Sequence, residues 1–149
     1  MKSLFIQPDN AEIVQRINRL AADSKREWGK MNVGQMLAHA QAPLRVALGE
    51  MKLKRSLIGL LVGPFAKKKL SAEGPWEKDM PTDKHFVIGE QRDFEEEKRK
   101  LVTLVQRFAQ SGAGGIVNDT HPFFGTLTTN EWDRLMWNHL DHHLRQFSV

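Results

Sequence analysis

The sequence of 149 residues contains no cysteine, no long uninterrupted apolar run and no internal repeat or low-complexity tract. Without cysteine, disulfides, zinc ribbons, iron–sulfur clusters and thiol nucleophiles are excluded, so a bound metal would have to be held by histidine, aspartate or glutamate. Hydrophobic residues make up 40% of the chain and charged residues 27%, which is typical of a globular domain rather than a disordered chain. We therefore expect a single domain covering residues 1–149.

The longest apolar stretch, residues 57–66, is interrupted by two glycines and a proline. It is far shorter than the ~20 residues that a membrane-spanning helix needs. At the N-terminus only residues 4–6 are consecutively apolar before Pro8, which is too short for a secretory signal. We therefore predict no membrane span and a cytoplasmic location.

Charge is distributed unevenly: residues 1–70 carry a net charge of +8, with 13 basic and 5 acidic groups, and residues 71–149 carry −4. This pattern permits contact with nucleic acid or an anionic surface, and the apolar segment 57–65 could face lipid or a partner. The favoured interpretation is a packed apolar segment flanked by solvated lysines, because no interleaved aromatics or base-reading motif accompany the basic residues. The basic residues that flank the apolar segment are Lys52, Lys54 and Arg55 before it, and Lys67, Lys68 and Lys69 after it.

Apolar residues recurring every three or four positions predict four main helices and one shorter helix within a long crossover, residues 51–86. Two early and two late helices joined by one long connection predict an all-α four-helix bundle. The predicted helices cover residues 10–22, 32–49, 56–70, 93–110 and 128–147. The predicted caps are Asp9 or Asn10 for the first helix, Asn32 with Gln35 for the second, and Thr128 with Glu131 for the last.

Two histidines, His139 and His143, lie near the middle of the apolar face of the last predicted helix, and His142 lies at its edge. Burying a polar ring without a partner costs on the order of 1–3 kcal/mol, so the pair needs a shared explanation. Imidazoles at positions i and i+4 present their nitrogens to one point, as in helical zinc sites, although satisfied core histidines are the alternative. Leu140 follows His139 where an HExxH metalloprotease has glutamate, which excludes that class. The apolar face consists of Trp132, Leu135, Met136, Leu140 and Phe147.

A metal site needs a third ligand, and the candidates are His39, His85 and His121. His85 and His121 lie in predicted loops, and His121 begins a rigid His-Pro-Phe-Phe-Gly turn. His39 lies on the second helix, at the flank of its apolar stripe. Pro43 cannot donate a hydrogen bond to the His39 carbonyl, so we predict a kink there that turns the His39 ring toward the interior.

Residues 32–39, Asn-Val-Gly-Gln-Met-Leu-Ala-His, resemble the second-helix motif x-x-x-Q-x-L-x-H of the DinB-like superfamily, and His139-x-x-x-His143 resembles the pair on that family's last helix. Residues 121–128 and 140–147 resemble an uncharacterised, domain-of-unknown-function branch of the same superfamily. The likeness extends from about residue 28 to residue 147.

This resemblance implies a bundle of up-down-down-up type with one long crossover, often a homodimer. It also implies a three-histidine metal site made of His39, His139 and His143, commonly holding nickel or zinc. Members of the superfamily include transferases and isomerases that use the small thiols bacillithiol, mycothiol or glutathione. The motif does not fix the reaction of this branch.

The leading hypothesis is a metal-dependent enzyme that transfers a small thiol or hydrolyses a small substrate, because three imidazoles leave coordination positions open. Trp132, Met36 and Met136 are available to wall the pocket, although a core position is the favoured interpretation for such residues. His121 and His142 are candidate proton carriers, although a solvated face is the favoured interpretation for His142. Asp141 and Asn138 lie off the ligand face, so an Asp or Glu from another helix is the candidate group to orient the imidazoles.

Two non-enzymatic alternatives remain open. In the first, the chain is a binding module whose basic first half contacts nucleic acid or a membrane surface. In the second, it is an interaction protein in which residues 57–65 close a homodimer. Salt-dependent retention on nucleic acid would favour the first, and a concentration-dependent mass without bound metal would favour the second.

Overall fold

The computed structural model describes residues 2–55, 57–70, 74–79 and 86–149. Within these ranges the chain is predominantly helical, which confirms the all-α class predicted from the sequence. None of the described helices combines the length and the hydropathy that crossing a bilayer requires. The elements are α1 (Gln7–Arg19), α2 (Val33–Ala47), α3 (Leu57–Leu70), α4 (Phe94–Ser111), a short 3-10 helix (Ala113–Gly115), β1 (Thr120–His121), β2 (Gly125–Thr126) and α5 (Thr129–Arg145).

Helix α1 begins three residues earlier than predicted, and the predicted caps were wrong. Pro8 lies in the first turn, where its missing N–H removes a donor that would have had no partner in the helix. Asp9 instead accepts a hydrogen bond from the Ser3 backbone N–H (2.9 Å). The buried Asn10 side chain donates to the Val105 carbonyl (3.2 Å) and so ties α1 to α4.

Both predicted capping boxes are confirmed, at the start of α2 and at the start of α5. The Asn32 side chain accepts from the Gln35 backbone N–H (2.8 Å), and the Gln35 side chain accepts from Asn32 (3.0 Å). Thr128 and Glu131 make the equivalent pair at α5. These reciprocal bonds satisfy donors that the first turn of a helix otherwise leaves without partners.

Helix α4 follows its predicted bounds closely, whereas α5 ends two residues earlier than predicted. The Asp93 side chain caps α4 by accepting from the Glu96 backbone N–H (2.7 Å). Helix α2 continues through Pro43, so the kink there stays a prediction. The predicted start of α3, Ser56, lies outside the described residues.

The core lies between α1, α2, α4 and α5, since α1 and α2 each pack against both α4 and α5. This arrangement places the face of α5 that carries the histidines against α2. The largest fully buried side chains are Trp132, Phe108, Leu4, Ile13, Ile17, Met36, Leu37, Leu44, Leu101, Met136, Leu140 and Leu144.

Helix α3 packs against α5 and β2 and lies directly on the turn that joins β1 and β2. The strands pair antiparallel, with His121 opposite Gly125, and hold the predicted His-Pro-Phe-Phe-Gly turn. A Cβ at Gly59 would lie 2.8 Å from the Pro122 carbonyl oxygen, and one at Gly63 would collide with the Phe123 carbonyl oxygen. Glycine at both positions therefore allows the helix backbone to contact the turn backbone.

Candidate metal centre

Three histidines from two helices converge at one point in the structure. His39 lies on α2, and His139 and His143 lie one turn apart on α5. Each offers a ring nitrogen, and the three nitrogens lie within 4.8 Å of one another. The structure thus brings together the three residues that the resemblance implied, and the group can hold a metal ion.

The protonation of His39 is fixed by a backbone carbonyl. Its ring is buried, and Nδ1 lies 2.8 Å from the Phe86 carbonyl oxygen. Because a carbonyl oxygen can only accept, Nδ1 carries the proton and donates it. The Nε2 lone pair of His39 is therefore directed away from Phe86 and is available to a metal.

A glutamine fixes His143 in the same way. The Gln146 amide nitrogen Nε2 donates to the Trp28 carbonyl oxygen (2.7 Å), which leaves the amide oxygen Oε1 facing the histidine. That oxygen lies 2.9 Å from His143 Nδ1 and accepts its proton in a hydrogen bond. His143 therefore also presents Nε2 as its metal-binding nitrogen.

The segment before α2 is shaped to receive Gln146. Gly29 has a φ of +77°, and a Cβ there would collide with Gln146 Nε2, so any other residue would displace the amide. The Glu27 backbone N–H also donates to the Gln146 carbonyl oxygen (2.8 Å). The orienting groups are thus a backbone carbonyl and an amide, and the expectation of an Asp or Glu was wrong for His39 and His143.

The spacing of two imidazoles tests whether the site fits a metal. His39 Nε2 and His139 Nε2 are 3.1 Å apart. Two nitrogens bound at the usual ~2.0–2.1 Å from one ion, at tetrahedral or octahedral angles, are separated by about 2.9–3.4 Å. The observed separation falls within that range, so the distance between these two nitrogens suits a shared ion.

All three imidazoles are held in the neutral form that metal binding needs. Burial lowers the pKa of His39 below the ordinary 6.5, although its bond to Phe86 acts in the opposite direction. Burial, followed by the positive charge that His143 would carry, lowers the pKa of His139 well below 6.5. Burial lowers the pKa of His143 to about 3. At neutral pH, therefore, none of the three imidazoles carries a positive charge that would repel a cation.

The histidines lie in a pocket of about 800 Å³. Its walls are mainly apolar, and charged side chains contribute only a small part of the lining. A pocket of this size suits a small organic molecule. The apolar and aromatic lining residues are Trp28, Met31, Pro43, Val62, Phe65, Ala66, Trp76, Phe86, Val87, Phe123, Phe124 and Leu135, and the charged ones are Lys30, Glu77 and Asp79.

The core role favoured for Trp132, Met36 and Met136 is confirmed. All three are fully buried, and none of them is among the described pocket-lining residues. The aromatic walls come mostly from loops, with Trp28 before α2 and Trp76 in the crossover. Loop positions have no helical periodicity, so the sequence offered only the general signal that a long connection is often functional.

The other histidines take different roles. His142 is half-buried rather than solvated, lines the pocket, and packs against Trp28 and Trp76 with ring centroids 5.7 and 6.0 Å away. His121 is buried and also lines the pocket, and its Nδ1 accepts from the backbone N–H groups of Phe123 (3.1 Å) and Phe124 (3.3 Å). Candidate ligand His85 lies outside the described residues.

Replacing Gln146 by methionine is expected to weaken metal binding by about tenfold, because His143 would lose the acceptor that fixes its proton on Nδ1. The measurement is a competitive titration of nickel or zinc against a coloured chelator. Gln110→Met, at an exposed position of α4, is the matched control and should bind metal like the parent protein. Equal affinity of the two variants would contradict a role for Gln146 in orienting His143.

Comparison with known proteins gives one family. The model of a family described as "Protein of unknown function (DUF1569)" matches residues 2–149, which is nearly the whole chain. No curated protein and no solved structure matches the sequence.

Proposed function

The chain belongs to the DUF1569 family, and we propose that it is a divalent-metal protein whose three-histidine site, formed by His39, His139 and His143, performs chemistry on a small molecule. One observation carries the proposal: three ring nitrogens lie within 4.8 Å of one another at the wall of a large pocket. Two of these rings have their distal proton fixed by a hydrogen bond. This arrangement is typical of metal-binding histidines in proteins.

An open coordination sphere favours an enzyme over a structural metal site. Structural zinc sites use four protein ligands, whereas catalytic sites use three and leave a position for water or substrate. The described residues supply three histidines, and the same rings face the pocket. We infer a metal-dependent transferase or hydrolase.

Different residues of the chain would have different roles in this reaction. His39, His139 and His143 would hold the ion, which when bound supplies Lewis-acid activation of a water or a thiol. The apolar walls lower the polarity around the site and so strengthen electrostatic interactions inside the pocket. His142, whose pKa is lowered mainly by burial, is neutral at neutral pH and able to accept a proton from a substrate beside the site.

The substrate side of the proposal rests on the likeness to the DinB-like superfamily. We propose that the DUF1569 chain is a branch of that superfamily and that α1, α2, α4 and α5 form its up-down-down-up four-helix bundle. The pairwise packing of these helices supports this arrangement. The likeness further suggests nickel or zinc as the ion, a small thiol such as glutathione, bacillithiol or mycothiol as the substrate, and a homodimer.

Elemental analysis of the purified, untagged protein tests the metal site. We expect close to one nickel or zinc ion per chain in the parent protein, and only traces in His139→Ala and in His143→Ala. The matched control is His142→Ala, which removes a neighbouring imidazole outside the three-histidine cluster and should keep the metal. Equal trace metal in all four proteins, after incubation with nickel and zinc, would overturn the proposal.

A further inference from the structure

Helix α3 presents an apolar stripe to solvent. Leu57, Leu61 and Phe65 follow one another at intervals of four residues and are 80%, 77% and 73% exposed, and Leu60 lies on the same side of the helix. Isolated apolar residues on a surface are ordinary, but a continuous stripe along one helix marks an interaction surface.

The opposite face of α3 is already packed. Gly59 and Gly63 are buried against the Pro122–Phe124 turn, so the helix is anchored to the protein by its small residues. A helix that is apolar on all sides is normally enclosed on all sides. In the part of the chain that the structure describes, the outward face of α3 has no such cover.

Basic residues precede this stripe, and they indicate what covers it. Lys52, Lys54 and Arg55 are exposed immediately before α3, whereas Lys67 near its end is paired with Glu131 (3.0 Å). An apolar ridge that begins beside exposed cationic groups matches a lipid surface with anionic headgroups, in which the leucines enter the acyl boundary and the basic side chains before the helix meet the phosphates. We propose that α3 docks the protein on an anionic membrane surface.

The same charges argue against a second copy of the chain as the partner. A symmetric dimer with parallel α3 helices would place the basic segment 52–55 against its own copy. That arrangement brings like charges together, which disfavours association. Nucleic acid would satisfy the basic groups but would leave Leu57, Leu61 and Phe65 in water.

The docking face continues into the pocket. Val62 and Phe65 are exposed on α3 and also line the pocket that contains the three histidines. A protein docked through α3 therefore holds the pocket mouth at the lipid surface, where an apolar substrate dissolved in the bilayer could enter. The docking itself does not depend on the metal. Only this substrate class, a lipid-soluble molecule that would react with the small thiol, rests on the proposed function.

Sedimentation with vesicles tests the docking, using phosphatidylcholine alone and phosphatidylcholine mixed with phosphatidylglycerol. We expect the protein to bind the mixed vesicles, to bind neutral ones weakly, and to be released by high salt. The double variant Leu57→Ser/Leu61→Ser should bind about tenfold less well, since two leucines no longer enter the lipid. The control Val117→Ser alters a residue that is 70% exposed elsewhere and should bind like the parent protein.

A second pair of variants tests whether the position of a lysine or only the net charge of the protein determines vesicle binding. Lys54→Glu should weaken binding to the mixed vesicles several-fold, whereas Lys25→Glu, the same charge change before α2, should have less effect. Three results would overturn the inference. They are no binding to the mixed vesicles at low salt, equal binding of the double leucine variant, or a concentration-dependent mass that this variant loses, which would assign the face to a second copy.

Metal content should be the same in all these proteins, because neither Leu57 nor Leu61 lines the pocket. Absence of vesicle binding would therefore not contradict the metal site, and absence of bound metal would not contradict the docking.

Discussion

Saturating the metal-free protein with nickel or zinc is expected to raise its melting temperature by about 8–16 °C. A ligand that binds only the folded chain at a thousand times its Kd contributes about 4 kcal/mol. For a chain of this length, each kcal/mol shifts the melting temperature by about 2–4 °C. The three nitrogens are close together only in the fold, because His39 and His139 are a hundred positions apart in the sequence. Differential scanning fluorimetry before and after chelation is the measurement.

Variants of the last helix test whether the stabilising ion binds at the three-histidine site. His139→Ala and His143→Ala should melt at the same temperature with and without metal. His142→Ala should keep most of the shift, because this ring lies outside the cluster of three. An equal shift in all four proteins would mean that the ion binds at another place.

Acidifying the metal-free protein from pH 7 to pH 5 should lower its free energy of unfolding by at least about 2 kcal/mol. The unfolded chain binds protons on its histidines below pH 6.5, whereas burial keeps the pKa of folded His143 at about 3. Stability is therefore complete above pH 6.5 and falls as the pH drops toward 3. Over the interval from 6.5 to 5, His143 alone accounts for about 2 kcal/mol, and His39 and His139 act in the same direction.

Urea unfolding at the two pH values measures this loss. His143→Leu removes one titrating group and should show a smaller difference between pH 7 and pH 5. Asp133 acts in the opposite direction at lower pH, since burial raises the pKa of its carboxyl group. Unchanged stability of the parent protein between pH 7 and pH 5 would contradict the neutral state of the three imidazoles.

The parts of the fold that local sequence determines were predictable. The Asn32–Gln35 and Thr128–Glu131 capping boxes depend on residues three positions apart, and both start helices where the pattern predicted. The predicted start of α1 was wrong because the residue expected to cap it makes a tertiary contact instead. Asn10 has the side chain of a cap but is used in a tertiary hydrogen bond to Val105, which no local pattern reveals.

The candidate site likewise has a part that the sequence pattern predicted and a part that depends on tertiary contacts. The helical wheel placed His139 and His143 on one buried face, and the family motif added His39. The groups that orient them are a backbone carbonyl, which any residue could provide, and Gln146, whose partner Trp28 is distant in the sequence. In the sequence alone, nothing distinguishes the Phe86 carbonyl or the Gln146 amide from other carbonyls and amides nearby.

The contact of Gly59 and Gly63 with the Pro122–Phe124 turn has a mechanical consequence. The turn supplies Phe123 and Phe124 to one side of the cavity, and α3 supplies Val62 and Phe65 to its rim. Backbone packed directly on backbone leaves no flexible side chain between them to absorb a displacement. A displacement of α3 is therefore passed directly to the turn, and it shifts Phe123 and Phe124 together with His121 relative to the three histidines.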